Sequence, residues 1–171
     1  PADDIDGAPE VEEDRPTLRG NACKKAETLH AHTGHPALAD DTGLEVDALD
    51  GAPGVHTARF AGPDATFASN NAKLLDALKD ASDRSAQFRT VVALVDGEAV
   101  QTFEGTCRGR IAETPRGAQG FGYDPLFIPE GADQTFAEMD ADQKNVISHR
   151  KKALEQLSDY LHNRLEADQG K

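Results

Sequence analysis

From Thr17 the apolar positions recur at three- and four-residue steps, through Leu18, Ala22, Ala26 and Leu29. The spacing predicts a helix that Thr17 can cap and that Gly34 and Pro36 stop. Asn21 and Lys25, four apart, then share a face beside the apolar stripe. "PALAD" predicts a short buried strand, Thr42 and Gly43 a turn, and "LEVDAL" a second extended piece. The Gly and Pro residues of "GAPGVHTARFAG" argue against regular helix there. A second helix is expected over Thr66 to Lys79, with Phe67, Leu74, Leu75 and Leu78 on its packed side and Asp64 as its cap. "FRTVVALV" and "AVQTFEGTCRGRIA" alternate as strands joined through Asp96-Gly97. A Gly-rich loop, "ETPRGAQGFGYDP", leads into an apolar "LFI" strand. One or two helices follow from Asp142 to about Ala167, packed through Ala153, Leu154, Leu157 and Leu161. Helices and strands alternate without repeats, which predicts one α/β domain over residues 1–171.

Composition narrows what this unit can meet. The net charge of -13 opposes an extended nucleic-acid or anionic-membrane surface. A small phosphorylated ligand remains open to it, given a cationic pocket or a divalent ion. Such acidity is also what a surface adapted to high salt carries. Pro1 to Arg15 holds seven acidic side chains and reads as an exposed lead-in. Cys23 and Cys107 give neither metal-ligand spacing nor a disulfide framework, so reduced thiols in a cytoplasm are expected. No apolar run approaches the roughly 20 residues of a membrane span.

Three stretches carry the chemistry. In "LADDTGLEVDAL", Asp40 and Asp41 stand side by side. Neighbouring strand residues face opposite ways, so the two carboxylates can share one site only if the chain bends, and Thr42-Gly43 is expected to bend it. Paired carboxylates stay ionised together when a cation sits beside them; Mg²⁺ suits this, and a carboxylate left over can deprotonate a water. In isolation an Asp-Asp pair is more often a solvated turn, so the other two stretches carry the functional reading. In "GFGYDPLF", Gly120 and Gly122 admit a ligand close to the backbone and Phe121 offers a ring to a planar base. In "SHRKKAL", Ser148, His149 and Arg150 open the last helix as donors for carbonyl or phosphate oxygens, with Lys144 one turn earlier. His30, His32 and His35 straddle a helix end and read as partners of its negative pole rather than metal ligands. Dinucleotide and Walker fingerprints are absent, as are a serine elbow and a compact Cys-His arrangement.

The three stretches, in this order, closely resemble the inosine triphosphate pyrophosphatase family, from about Glu13 to Leu161. The resemblance implies an elongated α/β fold with a long central mixed sheet, two lobes and a cleft between them, working as a homodimer. It implies Mg²⁺-dependent hydrolysis of dITP, ITP and XTP to the monophosphate and pyrophosphate, which removes deaminated purine nucleotides. Asp41 matches the water-activating carboxylate, and Glu13, Asp40 and Asp41 the metal positions. Glu13, Asn21 and Lys25 match groups that face the metal and phosphates, and Thr42 matches a substrate-binding position. Phe121, Gly122, Tyr123, Asp124, Lys144, Ser148, His149 and Arg150 match the base pocket. Gly20 stands where an acidic residue is usual and is expected to loosen the helix start. The family's opening strand and its Thr-x-Asn-x-x-Lys phosphate loop have no counterpart before Glu13. That departure motivates the alternative of a catalytically weak nucleotide-binding or interaction protein.

Overall fold

The computed structural model describes residues 7–169, so Glu10, Glu12, Glu13 and Asp14 of the lead-in are described while Asp3, Asp4 and Asp6 lie outside the described residues. In chain order the elements are α1 (Leu18–Thr33), β1 (Ala37–Val46), α2 (Phe67–Ala77), β2 (Ser85–Asp96), β3 (Ala99–Ile111), β4 (Phe127–Pro129), α3 (Ala141–Ile147) and α4 (His149–Gln169). Short 3₁₀ turns at Asp47–Leu49 and Gly54–Arg59 follow β1. The α/β class holds. Among the described residues the strands form one sheet in the order β1-β2-β3-β4, antiparallel throughout where a mixed sheet was expected. β2 and β3 are joined by a tight hairpin whose first turn residue is Gly97, at φ 61°, with Asp96 still paired to Ala99 in the ladder.

β1 corrects the expectation that matters most. The chain does not turn at Thr42-Gly43: β1 pairs with β2 residue for residue from Ala37↔Val95 to Val46↔Ala86. Gly43 serves a close approach instead. A side chain there would stand 2.6 Å from the Gly54 carbonyl oxygen and 3.1 Å from Leu18, so its absence lets the 3₁₀ turn and α1 close on the strand.

The two sheet faces differ. On one, Leu18, Ala22 and Ala26 of α1 pack on Val91, Ala93 and Val95. On the other, Ala153 and Leu157 of α4 pack on Val92 and Phe103, and a larger core forms around Leu44, Phe88, Phe127 and Phe136. Leu154 and Leu161, expected to pack, are 42% and 40% exposed, because α4 meets the sheet along its Ala153–Leu157 line. Phe67, also expected to pack, is 60% exposed at the first position of α2. That helix is capped by Thr66, in a reciprocal box with Ser69, and not by Asp64.

Thr17 and Gly34 bound α1 as expected. Gly20 leaves the helix start intact: a side chain there would press on Arg15 Cβ at 2.8 Å, so the glycine keeps the lead-in against the helix. Glu12 to Arg15 is therefore anchored, with Lys24 donating to the Glu12 carbonyl at 2.7 Å and to Asp14 at 2.8 Å.

Gly105 fixes α4. A side chain at this β3 position would collide with the His149 carbonyl and stand 2.7 Å from the Ala153 nitrogen, so the helix start rests directly on the strand. Gly105→Ala should force the two apart. Overpacking of this kind costs about 1–3 kcal/mol, which lowers Tm by roughly 2–12 °C in a chain this size. Thermal unfolding checks it; an unchanged Tm would mean that α4 does not depend on this contact.

Candidate active site

Because β1 runs straight, Asp40 and Asp41 face opposite sides of the sheet. The expected shared site does not form, and the predicted residues fall into two groups, one on each face.

The first group lies beside α1. Asp41 is 9% exposed, and its Oδ2 accepts from Asn21 Nδ2 at 3.1 Å. Asn21 is fully buried and its amide has both ends engaged, since its Oδ1 accepts from Arg15 N at 2.9 Å. Lys25, one turn later on α1, places Nζ 2.6 Å from Glu13 and 3.6 Å from Asp41. Arg59, which the sequence did not single out, donates to the Glu13 carbonyl at 2.8 Å and so fixes the lead-in from the other side. Burial raises the Asp41 carboxyl above its usual range, and the nearby Lys25 charge and the Asn21 hydrogen bond only partly offset this. A raised pKa makes Asp41 the stronger base, which suits proton abstraction from water.

Glu13 and Asp41 thus converge on one ammonium, while Asp40 points elsewhere. No group of three or more His, Cys, Asp or Glu side chains among the described residues comes together to hold a metal ion. The expected trio of Glu13, Asp40 and Asp41 is therefore reduced to two. Two hard carboxylate oxygens still match what Mg²⁺ takes from a protein when waters and substrate phosphates complete its shell.

The second group lines a cavity of about 500 Å³ on the opposite face. It opens against the larger apolar cluster, with Phe88, Phe136 and Met139 in its lining beside Thr42, whose Oγ1 meets Thr90 Oγ1 at 2.7 Å. Phe121, Gly122, Tyr123 and Asp124 form one wall, and Lys144, Ser148, His149 and Arg150 another. The Phe121 ring is 63% exposed, with Lys144 Nζ 5.0 Å from its centroid. Asp124 is buried and ties its own loop to α3: it accepts from Phe121 N at 2.9 Å and from Lys144 at 2.5 Å. Gly120, at φ 78°, makes that possible, since a side chain there would collide with the Asp124 carboxylate. Tyr123 donates its hydroxyl to the Thr57 carbonyl at 2.9 Å, and burial pushes its phenol well above the ordinary range. It packs the wall rather than titrating.

α3 and α4 are separate helices. Ser148, extended between them, accepts from Lys151 N at 3.1 Å and caps α4. Lys144 and Ser148 hence reach the cavity from two elements, not from one helix face. His149 stacks on Phe88, with centroids 4.9 Å apart, and its buried Nδ1 has no hydrogen-bond partner among the described residues. Arg150 donates to Asp40 at 2.9 Å.

The sequence reading missed the supports. Asn71 donates to the Gly122 carbonyl at 3.1 Å, and Asn70 ties Ala58 and Ala61 together through both ends of its amide. Two adjacent Asn inside a helix go against propensity, and that conflict was the available signal. Phe67 also lines the cavity, unannounced by any motif.

Burial, reinforced by the Arg150 and Lys144 charges, lowers the His149 pKa from 6.5 to about 4, so the ring is neutral near pH 7. Below pH 6.5 the unfolded chain takes up a proton that the folded one refuses until about pH 4. Stability from this group is therefore complete above about pH 6.5 and is lost as pH falls to about 4, by about 3 kcal/mol. Urea unfolding of the wild type and His149→Phe at several pH values should show the variant with the shallower acid loss. Parallel curves would place His149 in contact with water.

Comparison with known proteins agrees with this geometry. The chain is 52% identical over 160 residues to a dITP/XTP pyrophosphatase of Porphyromonas gingivalis, covering 93% of this chain and 82% of that protein. It is 53% identical over 155 residues to one of Syntrophobacter fumaroxidans, covering 90% and 67%. A Ham1 protein from Coxiella burnetii superposes with a TM-score of 0.88 at 48% identity, covering 91% of this chain and 81% of that one. The profile of the Ham1 family matches residues 1–160, and with this extent of similarity the chain belongs to the Ham1 family.

Proposed function

We propose that the chain is a Mg²⁺-dependent nucleoside triphosphate pyrophosphatase, acting on dITP, ITP and XTP. The observation that carries the reading is the division of labour across β1. A buried carboxylate with raised basicity, flanked by Asn21, Lys25 and Glu13, lies on one face. A cavity with an exposed ring and a row of donors lies on the other. The relatives' names supply the reaction class, since both proteins of P. gingivalis and S. fumaroxidans are dITP/XTP pyrophosphatases.

In this reading the purine enters the cavity against Phe121. Ser148, neutral His149 and Arg150 donate toward its C6 carbonyl, and adenine, whose amino group there is a donor, leaves them unpaired. Lys25 faces the phosphates. Asp41 takes a proton from water as the water oxygen bonds to phosphorus; the α–β anhydride bond breaks, and pyrophosphate departs from the nucleoside monophosphate. Glu13 and Asp41 are the residues that would hold Mg²⁺, which supplies charge neutralisation for the phosphate oxygens when bound. The reading also takes the working form to be a cytoplasmic homodimer. Among the described residues no helix is long and apolar enough to cross a membrane.

The test is product analysis: ITP with Mg²⁺ should yield pyrophosphate and IMP in equal amounts, whereas orthophosphate would assign a different phosphohydrolase chemistry. Asp41→Asn keeps the side-chain shape but removes the base, and should lower kcat by about 10²–10⁴ with a smaller change in ITP binding. Near-normal turnover in that variant takes Asp41 out of the proton transfer.

A further inference from the structure

Asp40 is the one predicted metal position that the structure removes from the acidic group, and it is not left idle. Its Oδ2 accepts from Arg150 Nη2 at 2.9 Å, across 110 residues of chain. Arg150 lines the cavity from the first turn of α4, where the His149 carbonyl rests on Gly105. Its backbone is fixed by that contact, but its side chain is 54% exposed and its long stem has many rotamers open to it. We propose that Asp40 is a positioning residue for base recognition, holding the Arg150 guanidinium at the cavity, and that it is not a ligand of the metal ion. The proposal rests on the function inferred above and deepens its account of specificity.

The surroundings support it. The cavity has two cations, and each is held by a carboxylate from a different element: Lys144 by Asp124 of the Gly-rich loop, Arg150 by Asp40 of β1. Of the next two cations on α4, Lys151 pairs with Glu155 at 3.5 Å and Lys152 is turned away to the Thr106 carbonyl at 2.8 Å, so neither competes. A guanidinium has five N–H donors in a rigid fork, and the contact with Asp40 uses one of them. The remainder stay available to an acceptor in the cavity. Both partners are substantially exposed, so the ion pair itself adds little to stability, and its value lies in where it leaves the fork. The arrangement also accounts for the Asp-Asp doublet. One strand position serves the α1 face and its neighbour the cavity face, so recognition and proton transfer are tied to adjacent residues of one rigid element.

The experiment compares wild type, Asp40→Asn, Asp40→Glu, Arg150→Ala and the double variant Asp40→Asn/Arg150→Ala. Steady-state kinetics with ITP and ATP, Kd for each nucleotide by equilibrium dialysis, and the Mg²⁺ concentration for half-maximal rate are measured. Asp40→Asn should act mainly on KM for ITP and reduce the ITP-to-ATP preference on the order of tenfold, the size expected when two coupled neighbours lose their contact. Asp40→Glu should recover part of it. The double variant should lose no more than Arg150→Ala alone, and the Mg²⁺ requirement should not move. The proposal is overturned if Asp40→Asn raises the Mg²⁺ requirement, if the two substitutions add, or if the ITP-to-ATP preference is unchanged. Should the wild type release no pyrophosphate, the inferred function fails, while the ITP and ATP Kd values still decide the role of Asp40.

Discussion

The arrangement depends on β1 being a strand without interruption. Its ladder with β2 keeps step over ten residues, so side-chain direction is set by position parity alone. Asp41 is committed to the α1 face, Asp40 and Thr42 to the cavity face. A one-residue slip, or the turn that Thr-Gly suggests, would exchange or merge these roles. The glycine that looks like the breaker is what preserves the strand: by making room for the Gly54 carbonyl it lets the 3₁₀ turn pack without bending β1.

Around this strand, charge is handled by pairing. Asp41 keeps its raised basicity because burial outweighs the Lys25 charge, which lies 3.6 Å away and is shared with Glu13 at 2.6 Å. A closer or undivided cation would favour the ionised form more strongly and leave a weaker base. On the cavity side, Asp124 and Asp40 hold Lys144 and Arg150, while the His149 ring, pressed against Phe88 beside both cations, stays neutral. The result is a pocket rich in donors that carries little uncompensated charge. Such a pocket suits a polar, uncharged base better than it suits a phosphate.

Local signals made much of this legible. The Thr17 cap, the Gly34 stop and the Asn21–Lys25 spacing placed α1 and its polar face, because helix ends and i,i+4 relations are short-range properties. The Gly-rich loop and the Ser148–Arg150 opening of α4 line one cavity as the motifs suggested. What escaped was long-range. Gly43 reads as a turn until the Gly54 backbone is seen against it, and Asp40 reads as a ligand until Arg150 arrives from 110 residues away. The exposed Leu154 and Leu161 repeat the lesson, since helical spacing marks a possible face and the strands packed against it decide how wide a stripe is covered.

The two groups of candidate site residues are linked through backbone rather than through a shared side chain. β1 carries Asp41 toward Asn21 and Lys25 and Asp40 toward Arg150, β3 carries Gly105 beneath His149, and the unbroken β1–β2–β3 ladder joins them. A packed sheet is stiff compared with the loops it supports, so in the proposed reading a base seated against Arg150 and His149 would have a fixed relation to Asp41 on the far face. Loops furnish the adaptable parts, Phe121 and the lead-in carrying Glu13, and each is pinned from the scaffold: Asn71 holds the Gly122 carbonyl and Arg59 the Glu13 carbonyl. Asn71 and Arg59 thus do for the loops what the ladder does for the strands, tying the segments that carry Phe121 and Glu13 to one frame.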